Sequence, residues 1–329
     1  MIKLAFIGAG DHAEKCHAPA LSAYMKANPG VVSAAAVCDI SSERGFIFKE
    51  NFGFRNSYTD LEEMISSEEL DACLCLVPAK VLVESVRRLI HLNIPVLIEK
   101  PLGTDIGESR ELLDLLNNHN TVHMVSANRR FVPLLNQAIA WCRERGKVVF
   151  TKCLFARPNR IEPEFIWSTG VHAVDAMRHI AGDVVDFQVE KINGSELSNR
   201  WGHITFQFSN GSFGSLDFLP TCGQNAEIYE IYGQGFRASV FMRNYFQNVR
   251  LQCWSDGEPA LEAFTDDSNS VFSVRDGSYG ELTEFIDAIR KHRLPRPMIR
   301  DFIQSSEICH EIDYKLTCKN EVCTSINRQ

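Results

Sequence analysis

At 329 residues the chain is longer than one hydrophobic core usually serves, which points to two domains sharing a cleft. Its 45% hydrophobic and 23% charged content is that of an ordinary globular protein, and a formal net charge of −8 without a long Lys/Arg run argues against nucleic acid or an anionic membrane surface as the main partner. No apolar run reaches the roughly 20 residues that span a bilayer. The start, MIKLAF, lacks a charged leader and a cleavage site, and the 11 cysteines are an odd number, so a reduced, cytoplasmic protein is expected.

The first half, to residue 127, alternates short apolar runs with helical patterns, the form of βαβ units on a parallel sheet. Strands are expected at Leu4–Ile7, Ser33–Cys38, Ala72–Leu76, Val96–Ile98 and Val122–Val125, each a continuous apolar run covered by helices on both faces. Helical stretches fall at Leu61–Ser66, Val81–Leu92 and Ile106–Asn117, with Asp60 and Asp105 as N-caps.

The first strand runs into GAGDHA, where the spacing of Gly8, Gly10 and Ala13 fits a dinucleotide fingerprint. Gly8 permits the tight turn, Gly10 lets the backbone approach a pyrophosphate, and Ala13 keeps the next helix close to its strand. The N–H groups of the helix start, around Asp11 and His12, then face the phosphates. The second strand ends in Asp39, a carboxylate able to accept both ribose hydroxyls of NAD and to repel the extra phosphate of NADP. Arg44, five residues on, is the group that would favour NADP instead. The run IPVLIEKPLG puts Lys100 at the tip of a later strand, beside Glu99 and before Pro101. A lysine at that end of a doubly wound sheet faces the ligand crevice and can be tuned to transfer a proton, whereas a surface lysine pairs with its neighbouring glutamate.

After Asn128 the pattern changes. Helices at Leu134–Arg145 and Val171–Ala181 and a strand at Val148–Phe155 precede strands at Asp186–Ile192, His203–Phe208, Ser212–Phe218, Ala226–Tyr232, Ala238–Met242 and Val249–Cys253. Alternation around Asn210-Gly211 signals a hairpin, and the whole reads as a mostly antiparallel sheet closed by helices near Tyr279–Lys291 and Asp301–Leu316. The expected division is therefore a Rossmann domain at 1–127 and a substrate-binding and oligomerisation domain at 128–329. Arg129 and Arg130 sit at the junction, as cofactor neighbours or as inter-domain ion pairs. Arg157 and Arg160 follow a strand and are placed to project into the cleft toward a hydroxyl-rich or partly acidic substrate. His172 and Asp175, three apart on a helix, share one face; a neutral imidazole there accepts a hydroxyl proton, or else serves as a core histidine or cap.

No structural metal is expected. Cys73 and Cys75 alternate on a strand, and Cys318 and Cys323 have no His or Cys partner at zinc spacing.

Taken together, GAGDHA, Cys38-Asp39, the EKP of Glu99–Pro101, the NRRF of Asn128–Phe131, GVHAVDAMRHIAG at Gly170–Gly182 and the closing YGELTEFIDAIR resemble the glucose–fructose oxidoreductase/inositol dehydrogenase/MocA family over nearly the whole chain. The resemblance implies a Rossmann domain followed by an α/β domain with a large open, mostly antiparallel sheet, and an enzyme that oxidises or reduces a carbinol carbon of a sugar or cyclitol with NAD(P). It implies a cofactor lined by Pro78, Glu99, Lys100 and Arg129 besides the glycine turn. It casts Lys100 as the catalytic lysine, His172 as the histidine that shares the hydroxyl proton, and Asp175 as an acid that contacts substrate hydroxyls. It also implies a homodimer or homotetramer formed through the open sheet.

Two positions depart from the family pattern. Ser168 stands where many dehydrogenating members carry an aspartate four residues before the histidine, and Leu82 replaces a histidine after the turn Val77–Lys80. Glu162 and Glu164 lie near enough in sequence to substitute for the missing charge. The leading expectation is an NAD-dependent sugar or cyclitol dehydrogenase. The alternatives are a non-catalytic NAD(P)-binding sensor of the same fold and a redox-neutral sugar enzyme that holds NAD tightly.

Overall fold

The computed structural model of the chain describes residues 1–193, 198–265 and 272–318. Strand β1 (Ile2–Ile7) leads through the glycine turn into a helical run whose middle, Ala13–His17, is wound as a π-helix and whose end is α1 (Ala18–Ala27). Then follow β2 (Val32–Cys38), α2 (Ser42–Phe52), β3 (Asn56–Tyr58), α3 (Leu61–Ser67), β4 (Ala72–Cys75), α4 (Ala79–His91), β5 (Val96–Ile98), α5 (Ile106–Asn117) and β6 (His123–Val125). These strands pair in parallel in the order β3-β2-β1-β4-β5-β6. The order reverses between β1 and β4, and a sheet of this kind opens its ligand crevice at that switch point. All four residues of β4 are buried, as expected of a central strand covered on both faces.

A short 3-10 turn, Asn128–Phe131, carries the chain into α6 (Pro133–Arg143), β7 (Val148–Ala156), a second π-turn at Phe165–Gly170 and α7 (Val171–Ala181). Next come β8 (Val184–Lys191), β9 (Gly202–Phe208), β10 (Phe213–Leu219), β11 (Ala226–Gly233), β12 (Phe236–Arg243), β13 (Gln247–Ser255) and β14 (Glu258–Phe264). The chain ends in α8 (Phe272–Arg275), α9 (Ser278–Arg290) and α10 (Ile299–Thr317). The second sheet runs β14-β13-β12-β11-β7-β10-β9-β8, antiparallel at every pairing except β7 with β10. One face carries α6, α7 and α10 and a core that includes Phe155, Phe165, Phe218 and Met177. The other face leaves Phe150 and Phe213, which are paired in register, exposed.

The expected caps are in place: Asp60 accepts from the Glu63 N–H (2.8 Å) and Asp105 from the Glu108 N–H (2.9 Å). The Asn210-Gly211 turn joins β9 to β10, with Gly211 at φ +79°. Several elements go beyond the sequence reading, β3, α2 and β14 among them. Strand β3 is only three residues long and has no apolar run; helix α2 lacks a clear apolar stripe; β14 is a largely exposed edge strand. Cys38, Cys73, Cys75 and Cys153 are buried, Cys318 is exposed at the end of α10, and Cys323 lies outside the described residues.

The two sheets divide near residue 127, but the cores do not. Leu282, Phe285 and Ile286 of α9 pack with Leu4, Phe6, Leu21, Leu74, Leu97 and Met124 of the first sheet and its helix. Gly277, at φ +94°, lets α9 begin there: a Cβ on it would lie 2.0 Å from the carbonyl oxygen of Asn128. The Val125 N–H also donates to the carbonyl of Pro297 (2.9 Å).

Candidate active site

Gly8 ends β1 at φ +99°, and a Cβ there would come within 2.7 Å of the Leu76 carbonyl oxygen, so the turn requires glycine. Around Gly10 a Cβ would meet nothing within 4 Å, which leaves the backbone open to a close-lying phosphate group. Ala13 is buried where the helix crosses the sheet. Asp39 closes the end of β2: one carboxylate oxygen accepts from the Ala9 N–H (2.8 Å), the other from the Ser41 N–H (2.9 Å) and from Arg44 Nε (3.1 Å). The two residues that sequence sets against each other over NAD and NADP are thus an ion pair. Beside them opens a cavity of 230 Å³ with Ile47 and Phe48 as an apolar wall and Ser41 and Asn51 as polar edges. Pro78 starts α4 at the far side of the switch point. A dinucleotide's phosphate, ribose and base find here a bare glycine turn, a fixed carboxylate and a half-apolar pocket, so these residues fit the cofactor.

The π-turn has a local effect. The Ala18 N–H reaches back to the carbonyl of Ala13, one residue further than in an α-helix, and this accommodates one extra residue at the start of the helix. His17, at the end of this turn, is buried, and its Nε2 lies 3.0 Å from Glu99 Oε2. His12 Nε2 approaches the same oxygen at 3.6 Å. Asp11, by contrast, is exposed and pairs with Lys15 (2.7 Å). Burial alone would raise the Glu99 carboxyl, yet His12, His17 and Lys100 outweigh it and bring its pKa down to about 2. Glu99 is therefore a buried anion whose hydrogen-bond partner is the His17 imidazole, with Lys100 acting on it through its charge.

Lys100, partly exposed at the end of β5, donates from Nζ to the carbonyl oxygen of Ser168 (3.0 Å), and its bond to Pro101 is cis. Burial lowers its pKa; Glu99 opposes this, and Arg129 and Arg160 reinforce it. His172, the second residue of α7, is also partly exposed. Burial holds its imidazole well below the ordinary histidine range, helped by Arg129, Lys100, His12 and Arg157. His172 is consequently neutral at physiological pH, and a neutral imidazole is a proton acceptor.

The remaining expected site residues lie elsewhere. Asp175 is almost fully buried, and its two oxygens accept from Arg130 Nε (2.8 Å) and Nη2 (2.7 Å), with Ser305 Oγ a further donor at 3.0 Å. The acceptor sites of Asp175 are taken up by an arginine and a serine from distant segments. Arg157 is engaged likewise. It is buried, lies over the Phe155 ring at 3.8 Å and pairs with buried Glu227. Arg129 bonds the same glutamate with Nε (3.0 Å) and Nη2 (2.6 Å), so both arginines of NRRF are ion-paired, each to a partner later in the chain than residue 128 rather than across the expected boundary. Burial pushes Glu227 up, but the two guanidinium groups outweigh it and set its pKa at about 2. The arginine of ARPNR that stays partly open is Arg160, which donates to Thr169 Oγ1 (2.7 Å) and pairs with Glu162. Glu162 is therefore engaged by Arg160. Leu82 is a core residue of α4.

Sequence reading passes over His17 and Glu227. A signal exists for the first, since a carboxylate at the buried end of a central strand requires a partner. None exists for Glu227, which sits in an alternating strand among ordinary surface glutamates.

Comparison with known proteins agrees with this geometry. The model of the GFO_IDH_MocA family, an oxidoreductase family with an NAD-binding Rossmann fold, matches residues 2–127. The inositol 2-dehydrogenase of Corynebacterium glutamicum (strain R) is 24% identical over 314 residues, covering 89% of this chain and 87% of its own. Among solved structures, a dehydrogenase (MviM) from Clostridium difficile superposes with a TM-score of 0.82 at 17% identity, over 95% of this chain and 99% of its own. A levoglucosan dehydrogenase in complex with NADH and levoglucosan gives 0.80 at 18% identity, over 96% and 98%. With its glycine turn, its Asp39 and the family match, the stretch 2–127 is an NAD-binding Rossmann unit of the GFO_IDH_MocA oxidoreductase type, and the chain as a whole shares the fold of these dehydrogenase structures.

Proposed function

We propose that this protein is an NAD-dependent dehydrogenase acting on a secondary hydroxyl of a sugar, sugar derivative or cyclitol, with Lys100 and His172 handling the hydroxyl proton. The observation that carries this reading is the tie between Lys100 and the turn before α7, which brings the end of β5 to the base of the helix that bears His172. Both side chains are partly open to the cleft, and burial disfavours the charged form of each. They suit the transfer of a proton between a hydroxyl and solvent without leaving a charge in the site. Bound NAD supplies the hydride acceptor. The names of relatives that act on inositol and levoglucosan support a polyhydroxylated ring as the substrate class.

The first part of the chain, to residue 127, would hold the cofactor, and the remainder would hold substrate and a second copy of the chain. Phe150, Phe213 and Tyr232 stand side by side across β7, β10 and β11 on the uncovered face of the second sheet, a mixed aromatic and polar surface suited to self-association.

Calorimetric titration with NADH and NADPH, followed by a screen of cyclitols and sugars for NAD reduction, tests the proposal. NADH binding tighter by about tenfold, or about 1.4 kcal/mol, is expected from Asp39. A preference for NADPH would transfer the specificity to Arg44, and absence of both binding and turnover would overturn the reading.

A further inference from the structure

We propose that His12, His17 and Glu99 form a binding site for a divalent metal ion of the zinc class, at the join between the glycine turn and the end of β5. One ligand atom from each residue is available, and the three atoms lie within 4.8 Å of one another. Two separations are already close to what one small ion imposes on its ligands: His17 Nε2 to Glu99 Oε2 at 3.0 Å and His12 Nε2 to Glu99 Oε2 at 3.6 Å. Metal–ligand bonds of about 2.0–2.2 Å in a tetrahedron space their donors by little more than 3 Å, so the required movement is confined to the exposed side chain of His12.

Two imidazoles and one carboxylate are the donor set of open zinc sites, which keep a fourth position for water or a ligand oxygen. Here that position faces solvent, because the His12 side chain is 45% exposed whereas Glu99 and His17 are at 10% and 1%. The net charge also suits the ion, since one buried carboxylate offsets half of a dication. Lys100 does not compete for the carboxylate: its ammonium is turned to the Ser168 carbonyl. Coordination through Nε2 would leave the ring proton of His17 on Nδ1, which is buried and has no hydrogen-bond partner among the described residues.

The π-turn makes the cluster possible, because its five residues bring His17 against Glu99 while His12, just before it, stays on the cleft side. The ion would lock the turn to β5 and stand next to Lys100, with its open position toward the cleft.

The test uses the full chain stripped with chelator and titrated with Zn²⁺ by calorimetry, with Co²⁺ as a spectroscopic probe of coordination. One ion per chain is expected, with the intense visible absorption of a low-coordinate cobalt site. His12→Ala and Glu99→Gln should each weaken binding by about tenfold or more, since even outer-shell changes at such sites cost 10–100-fold. His12 is exposed enough for its alanine variant to fold, so that variant carries the test if Glu99→Gln does not. Absence of saturable binding would overturn the proposal. Equal affinity in His12→Ala would do the same, because the ion would then lie elsewhere, as on the exposed thiol of Cys318.

Discussion

Lys100 Nζ gives a hydrogen bond to the carbonyl oxygen of Ser168, 3.0 Å away, across 68 positions of sequence. The bond uses the backbone of position 168 rather than its side chain. The serine that departs from the family pattern therefore leaves the lysine anchored, and the anchor joins the two sheets of the molecule at the mouth of the cleft.

Replacing that lysine tests its chemical role. Lys100→Ala and Lys100→Met should lower turnover by about 10²-fold or more, the usual worth of general acid–base assistance, with NADH affinity retained. Steady-state kinetics beside NADH titration decides the matter. Normal turnover in either variant removes Lys100 from the proton path.

A different outcome is expected one helix away. Asp175→Ala leaves the partly buried Arg130 without its carboxylate, and since breaking a fully buried ion pair from one side costs about 3–5 kcal/mol, a loss toward the lower end of that range is expected. Denaturant unfolding should register that loss, while turnover per folded molecule stays nearer the wild type than in the Lys100 variants. An unchanged unfolding midpoint with collapsed turnover would return Asp175 to the substrate site.

Glu281 provides a stability test with a defined sign. Its carboxyl is fully buried in α9, with Ser126 as a donor at 3.0 Å, and burial, then the charge of Glu99, raises its pKa well above the ordinary value. Folded protein thus keeps this proton after the unfolded chain has lost it. Stability from this group is whole below the unfolded value of about 4.3 and is lost as pH rises through the folded value. Glu281→Gln, which stays neutral throughout, should match the wild type in acid and exceed it increasingly as pH rises. Parallel melting curves at pH 5 and pH 8 check this, and a variant less stable at the higher pH would show that the carboxyl is ionised in place.

On the uncovered sheet face, Phe213 is paired in register with Phe150 and more than half exposed. Phe213→Asp should shift light-scattering mass from an oligomer to a single chain without unfolding it. A wild-type protein that is already monomeric at micromolar concentration would remove the sheet face as an interface.

Local chemistry made much of this protein legible in its sequence. Gly8, Asp39 and Lys100 each sit at the end of a strand where a turn, a carboxylate or an ammonium has few other uses, so the motif and its place coincide. Spacing along α7 likewise put His172 and Asp175 on adjacent turns, but it is silent on partners. Asp175 meets Arg130, 45 residues before it, and Ser305, 130 after it. Arg157 meets Glu227, 70 residues on, in a strand where nothing marks that glutamate as buried. Such pairings depend on how two sheets and three helices stack, which no periodicity records. His17 was hidden for a related reason: the extra residue in its turn places it by π-winding rather than by the helical count.

The insertion of α9 into the first core has a bearing on how the chain is made. All six strands of the cofactor sheet lie within the first 125 residues, yet Leu282, Phe285 and Ile286 come more than 150 residues later. Until then the nascent sheet carries an uncovered apolar flank, open to chaperones and to wrong partners. The cofactor-binding half is thus first in the sequence and among the last to be finished.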